Sequence, residues 1–115
     1  MSDVRVSRAL TLSGGRCDFC SVSLSLGSRI ACLHDLTVMV DDPPFHIAAP
    51  GDWDICGACQ QALGIGQDAL TVPLDRVAAY HRRVAMPIVL SGLGASAETL
   101  VRIQQQLRYA VGVAT

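Results

Sequence analysis

Two Cys-x-x-Cys units constrain the fold of this sequence more than any other feature. The first is Cys17-Asp18-Phe19-Cys20, and the second, Cys56-Gly57-Ala58-Cys59, follows after 35 intervening residues. Such a turn folds back so that both sulfurs point the same way, and its amides donate hydrogen bonds to them. Four thiolates at about 2.3 Å complete the tetrahedral shell of a structural Zn²⁺. The sequence therefore predicts a zinc site with Cys17, Cys20, Cys56 and Cys59 as ligands.

Other interpretations of the cysteines are less favoured. One or both pairs could be plain reduced thiols. A rubredoxin-type iron site usually has glycine after the second cysteine of each unit, where this sequence has Ser21 and Gln60. A thioredoxin-like redox motif has Trp directly before its first cysteine, whereas Asp54 and Ile55 separate Trp53 from the second unit. Zinc remains the preferred cofactor.

Size and composition place these motifs in a small domain. Of the 115 residues, 50% are hydrophobic and only 4% are aromatic, so the core must be built mainly from aliphatic side chains. No apolar run approaches the roughly 18 residues of a membrane span, and residues 1–15 have no signal-peptide core. We therefore expect a cytoplasmic protein without a membrane partner. In a reducing compartment, paired cysteines indicate metal binding more often than disulfides.

The charge is unevenly distributed along the chain. Residues 1–16 carry +2, residues 17–70 carry −6 and residues 71–115 carry +3. Four thiolates around Zn²⁺ would add two negative charges to the acidic middle. Nucleic-acid-binding modules usually have the opposite charge near their reading surface, which makes this function less favoured.

The hydrophobic pattern predicts an α+β fold. Val4, Val6, Leu10 and Leu12 alternate as a strand, residues 21–26 alternate strictly with Val22, Leu24 and Leu26 inward, and residues 29–40 are β-rich. The order of Cys-x-x-Cys turn, β-hairpin and helix bearing the second pair predicts a treble-clef-like zinc domain. We assign residues 1–66 to this β-rich domain and residues 67–115 to a helical segment that packs on it or mediates self-association.

Three helices are expected, one at the end of the zinc domain and two in the C-terminal segment. The first begins near Ile55 and stops at the glycines after Leu63. The second has an apolar face formed by Leu74, Val77, Ala78, His81, Val84 and Ala85, and Pro87 should end or kink it. The third has Ser96 as its N-cap and an apolar stripe formed by Leu100, Ile103, Leu107 and Val111.

The remaining residues with chemical potential have simpler interpretations. A role in a second metal site is conceivable for Cys32 and His34, but a closed four-cysteine site needs neither, and Cys32 is favoured as a core residue. We expect His46 to point outward from a strand and His81 to serve packing or capping. The aspartate pairs 41–42 and 52 with 54 are typical of turns, and no nucleophile accompanies them. No catalytic residue, and no enzyme activity, is expected.

The motifs also carry a resemblance. Cys17-Asp18-Phe19-Cys20-Ser21, followed by Gly51-Asp52-Trp53 before the second pair, resembles a family of short, uncharacterised bacterial proteins with a double Cys-x-x-Cys motif. The first pair and the helix are also similar to the N-terminal zinc-binding domain of the unfoldase ClpX, although the 35-residue spacing is longer. The resemblance covers residues 16–66. It implies a zinc treble clef with the same four ligands, in a class of domain that dimerises and binds adaptors.

Three functions follow from these observations, in order of preference. The first is a non-catalytic protein–protein interaction or adaptor module, whose partner is another protein or a second copy of the chain. The second is a nucleic-acid-binding regulator that uses arginines of the C-terminal segment, namely Arg76, Arg82, Arg83, Arg102 and Arg108. The third is a thiol redox protein that cycles a Cys56–Cys59 disulfide.

Overall fold

A computed structural model describes residues 3–11, 14–42 and 45–112, without the side chains of 42–50. The predictions for Leu12 and for the side chain of His46 lie outside the described residues. The fold is α+β, as predicted, with an antiparallel sheet and three helices. The strands are β1 (Asp3–Leu10), β2 (Gly15–Arg16), β3 (Ser23–Leu24), β4 (Arg29–Asp42), β5 (Phe45–Ile55), β6 (Thr71–Pro73) and β7 (Arg108–Val111). The helices are α1 (Gly57–Leu63), α2 (Leu74–Gly92) and α3 (Ala97–Gln106).

Strand β4 is the centre of the main sheet. It pairs with β5 along one edge, and its other edge is shared end to end by β1 and β7. Strand β6 extends the sheet beyond β1, whereas β2 and β3 form a separate short ribbon. Because β4 has 14 residues, one of its edges has backbone groups enough for both β1 and β7, while the other edge pairs with β5. The central strand thus pairs with three others.

A β-bulge interrupts the pairing of β4 with β5. Leu33 pairs with Trp53 and Leu36 pairs with Gly51, so that His34 and Asp35 together face the single residue Asp52. Asp35 has a positive φ of 58°, which Asp tolerates better than most side chains. The bulge places polar side chains where a regular ladder would have continued.

The core lies between the sheet and the helices. On β1 the buried residues Val4 and Val6 alternate with exposed ones, and β4 buries Leu33 and Leu36 on either side of its bulge. Helix α2 buries Val77, His81, Ala85, Met86 and Leu90, and α3 buries Ile103. Ser96 caps α3 as predicted, since its hydroxyl accepts a hydrogen bond from the Thr99 amide at 3.2 Å. Burying one apolar face stabilises each helix.

Three expectations about the secondary structure were wrong. The alternating segment 21–26 forms only the two-residue strand β3, and Val22 and Leu26 are 49% and 72% exposed. The prediction that Pro87 ends or kinks α2 is wrong as to the end, because the helix continues to Gly92. The third helix stops at Gln106, after which Leu107 is extended (ψ 132°), and Val111 belongs to β7.

The segment after residue 66 shares the sheet with the segment before it. Strand β6 pairs with β1, and β7 pairs with β4 at residues 36–39. The expected boundary at residue 66 is therefore not a boundary of the sheet, and the C-terminal segment contributes strands as well as helices. Among the described residues, no helix combines the length and the apolar character needed to cross a membrane.

Candidate metal centre

The first Cys-x-x-Cys unit is a tight turn next to the β2–β3 ribbon. The amide of Ser21 donates to the carbonyl of Cys17 at 3.0 Å, and the amide of Cys17 donates to the carbonyl of Val22 at 2.9 Å. Ser21 has a φ of 65°, in the left-handed region that favours glycine. The turn thus has the backbone for which glycine is usual after the second cysteine, although the residue here is serine.

The second unit opens helix α1. Cys56 is the extended N-cap residue, and Cys59 lies in the first turn and is buried. The helix ends at Gly64, whose φ of 70° allows its amide to donate to the carbonyls of Gln60 and Gln61. Because Cys56 and Cys59 lie at the N-terminus of α1, the helix dipole favours their negatively charged thiolate form.

The fold brings the four cysteines of the two units together. The Sγ atoms of Cys17 and Cys59 are 3.7 Å apart, and those of Cys20 and Cys56 are 3.6 Å apart. All four sulfurs lie within 4.8 Å of one another. Tetrahedral zinc with bonds of about 2.3 Å requires sulfur–sulfur distances of about 3.8 Å. The four thiols can hold a metal ion, and their spacing is consistent with zinc.

Burial and amide hydrogen bonds act in opposite directions on these thiols. Burial raises the pKa of Cys20 and of Cys59. Burial also works to raise the pKa of Cys56, but the backbone N–H of Cys59 and the neighbouring thiols outweigh it, so that this pKa lies below its usual value. The amide of Cys56 also donates to the Sγ of Cys17 at 3.4 Å. Such amide donors stabilise the thiolates that a metal requires.

Helix α2 contacts the cysteine cluster directly. The hydroxyl of Tyr80 donates to the Sγ of Cys59 at 3.1 Å. Phe19, in the middle of the first unit, is 1% exposed, and its ring centroid lies 5.2 Å from that of Tyr80. Tyr80 was not predicted to contact the cysteines, because no local pattern relates a tyrosine to a cysteine 21 residues away.

His81 lies in the core beside the cluster, as its predicted packing role requires. Its ring stacks on that of Trp53 at 4.3 Å, and its Nδ1 is 2.8 Å from the hydroxyl of Tyr109. Burial lowers its pKa to about 4, and the charge of Arg82 contributes in the same direction. His81 is therefore neutral at pH 7.

A second group of metal-ligating side chains lies at the β-bulge. Ligand atoms of Cys32, His34 and Asp52 lie within 4.8 Å of one another. Cys32 is half-buried and is not a residue of the hydrophobic core, contrary to the favoured expectation. The sequence raised Cys32 and His34 as conceivable ligands but assigned Asp52 to a turn, because the bulge that brings Asp52 to His34 has no sequence signature.

Several of the five candidate arginines make contacts within the fold. Arg76 donates to the carbonyl of Leu63 at 3.2 Å, which ties α2 to the end of α1. Arg82 donates to the carbonyl of Leu107 and lies over the Tyr109 ring. Arg83 lies over the ring of Tyr80. Arg102 and Arg108 are exposed, on α3 and β7.

Comparison with known proteins gave no relative from which a function could be transferred. No family model, no curated protein and no solved structure matches this chain.

Proposed function

We propose that this chain is a non-catalytic protein–protein interaction module whose fold is stabilised by a structural Zn²⁺ bound to Cys17, Cys20, Cys56 and Cys59. The observation that carries the proposal is the closed set of four converging sulfurs, three of them buried. Four thiolates fill a tetrahedral shell and leave no position for water or substrate. A metal bound in this way contributes to folding and not to chemistry on a bound molecule.

The order of the elements also supports a structural zinc. The first pair lies in a turn, the β4–β5 hairpin follows, and α1 carries the second pair. This order is that of a treble clef, in which the metal joins two segments that are distant in sequence. Here the segments are 35 residues apart. The chain has only two Phe, two Tyr and one Trp, so it supplies few large apolar contacts to join them, and the ion would replace such contacts.

The surface that we assign to partner binding is the exposed apolar part of α2 near its C-terminus. Val89 and Leu93 are four residues apart, on the same side of the helix end, and are 47% and 59% exposed. Ile88 and, on α3, Val101 are also exposed. Large apolar side chains that stay in water in a chain of this size are typical of a contact surface for another protein.

Nucleic-acid binding is the less favoured alternative. It would use the C-terminal arginines, but two of these already make contacts within the fold. Arg76 on α2 donates to the carbonyl of Leu63 on α1, and Arg82 donates to the carbonyl of Leu107, just before β7. These contacts favour structural roles for those side chains, and the acidic middle of the chain would repel a phosphate backbone.

The proposal is tested first by native mass spectrometry and then by substitution. We expect zinc in protein purified without added metal, and a bound partner or second copy that is lost when Val89 and Leu93 are both replaced by Asp. Ser91→Asp, at an exposed position between them, is the matched control and should keep the partner. Identical association by the double variant and the control would contradict the assigned surface, and tightly folded metal-free protein would contradict the structural zinc.

A further inference from the structure

The outer face of the sheet carries a second constellation of metal ligands that the four-cysteine cluster does not use. Cys32 and His34 are two residues apart on β4, and Asp52 faces His34 across the β-bulge. The Sγ of Cys32 is 3.9 Å from the Nδ1 of His34, and this Nδ1 is 3.4 Å from the Oδ2 of Asp52. Ligand atoms around tetrahedral zinc are separated by about 3.3 to 3.8 Å, given bonds of about 2.0 to 2.3 Å. The three groups are therefore spaced for one ion.

Two of the three ligands, His34 and Asp52, are oriented by a neighbour outside the group. The Nε2 of His34 lies 2.7 Å from the hydroxyl of Ser7, which can accept the Nε2 proton in the tautomer whose Nδ1 would bind a metal. The amide of Asp35 donates to the Oδ1 of Asp52 at 3.0 Å and leaves the Oδ2 directed at His34. Hydrogen bonds of this kind fix metal ligands before an ion arrives.

The charge around the three ligands favours a cation. Burial and the carboxylates of Asp54, opposite Cys32 in the β4–β5 pairing, and of Asp18 raise the pKa of the Cys32 thiol. The same carboxylates attract a cation. Arg5 opposes this field, but its guanidinium pairs with Asp35 at 3.4 Å. The side chain of His34 is 20% exposed and that of Asp52 is 53% exposed, so an ion can reach the group from solvent.

We propose that Cys32, His34 and Asp52 form a second metal site, which binds a divalent transition metal of the Zn²⁺ or Co²⁺ type with one coordination position open to solvent. A thiolate, an imidazole and a carboxylate suit such ions, whereas Mg²⁺ and Ca²⁺ require a shell made of oxygen. On binding, the Cys32 thiol releases its proton to water as the metal–sulfur bond forms. Three protein ligands with an open position hold an ion less tightly than four cysteines, so this second ion is exchangeable.

The second site differs from the proposed structural zinc site in whether its ion can bind a further ligand. A closed four-cysteine shell admits no further ligand, whereas the open position here accepts water, an anion or a side chain of a partner protein. The two sites lie on the same part of the fold, since the amide of Asp54 donates to the carboxylate of Asp18 at 2.6 Å, and Asp18 belongs to the first cysteine unit.

The test uses the full chain already loaded with its first zinc ion. Free Zn²⁺ is raised in a buffered series and the metal content is read by native mass spectrometry, while Co²⁺ titration follows the thiolate-to-cobalt charge-transfer absorption. We expect a second ion per chain in the wild type, and its loss in Cys32→Ala, His34→Ala and Asp52→Asn. Ser7→Ala should weaken the second ion about tenfold, since it removes only an orienting contact.

The matched control is Asp35→Asn, which alters a carboxylate at the same bulge that is not a ligand. It should keep the second ion. The proposal is overturned if the wild type binds only one ion at saturating zinc, if the three ligand variants keep the second ion, or if Asp35→Asn loses it as fully as Asp52→Asn does. If Cys32→Ala fails to fold, the His34 and Asp52 variants decide the question. These outcomes are independent of the first ion and of partner binding, which are measured separately.

Discussion

The hydroxyl of Tyr80 on α2 donates a hydrogen bond to the Sγ of Cys59 on α1 at 3.1 Å. Cys59 is one of the four clustered thiols, and Tyr80 belongs to a segment outside the two cysteine units. The contact therefore couples the ligand set to the packing of the second helix. A donor to a ligating sulfur offsets part of the charge that four thiolates place in a buried site.

Tyr80→Phe should weaken zinc binding about tenfold while leaving the fold intact, because it removes the donor and keeps the ring that packs on Phe19. Competition with a chromophoric chelator measures the affinity. Tyr109→Phe is the matched control, since its hydroxyl pairs with His81 and not with a cysteine. Equal affinities for the two variants would contradict the role of Tyr80.

Cys56→Ser should lose the first metal ion, so that the β4–β5 hairpin and α1 no longer show a cooperative unfolding transition. Zinc binding of order 10 kcal/mol is coupled to folding in sites of four thiolates. Zinc content and thermal melting check this, and a strong chelator should have the same effect on the wild type. Cys32→Ser is the control and should keep the first ion. A Cys56→Ser variant that retains that ion and melts normally would refute the ligand assignment.

Acid should destabilise the fold through His81. Burial lowers the pKa of His81 from 6.5 to about 4 in the folded state, so that the unfolded chain binds more protons between these values and stability falls as the pH falls. Between pH 7.5 and 5.5 the loss is about 1 kcal/mol from this residue.

The His81 prediction is measured by urea unfolding at both pH values under saturating zinc. His81→Phe should lose less stability than the wild type over this range by about 1 kcal/mol, because phenylalanine does not titrate. Protonation of the thiols acts on both proteins and cancels in the difference. The same pH dependence in the two proteins would show that His81 does not cause it.

Ser21→Val should lower the free energy of unfolding by about 1 to 2 kcal/mol, because Ser21 has a φ of 65° that a β-branched side chain adopts only with strain. Ser21→Gly should stay within about 1 kcal/mol of the wild type, since relief of that strain is offset by the flexibility of glycine in the unfolded chain. Ser23→Val, on the exposed strand β3, is the control. Urea denaturation of the zinc-loaded protein that found both valine variants equally stable would contradict this account.

Local patterns in the sequence predicted the features that depend on neighbouring residues. The spacing within each Cys-x-x-Cys unit determines where its two sulfurs point, and the structure brings the four cysteines together. The capping of α3 by Ser96 and the end of α1 at Gly64 were also predicted, because a cap is a contact across one helical turn.

Patterns failed where the outcome depended on which surface covers a residue. Residues 21–26 alternate like a strand, but only Ser23 and Leu24 pair, with Arg16 and Gly15, and nothing in the described fold buries Leu26. The apolar stripe of the last helix appeared to include Val111. On the edge of β4 that β1 uses, β1 pairs only with residues 29–33 and leaves the backbone groups of residues 36–39 to another strand. Hydrogen bonds to these groups favour a strand at β7 over a longer last helix.

The sequence by itself determined the clustered cysteines of the two Cys-x-x-Cys units, the α+β class, the start of α3 and the end of α1, because each rests on spacing or capping within a few residues. Only the tertiary structure decided that Tyr80 contacts Cys59, that β7 completes the sheet, and that Asp52 joins Cys32 and His34. These contacts join residues 18 to 75 positions apart, and their energies depend on the register of strands and on a bulge that no local pattern encodes.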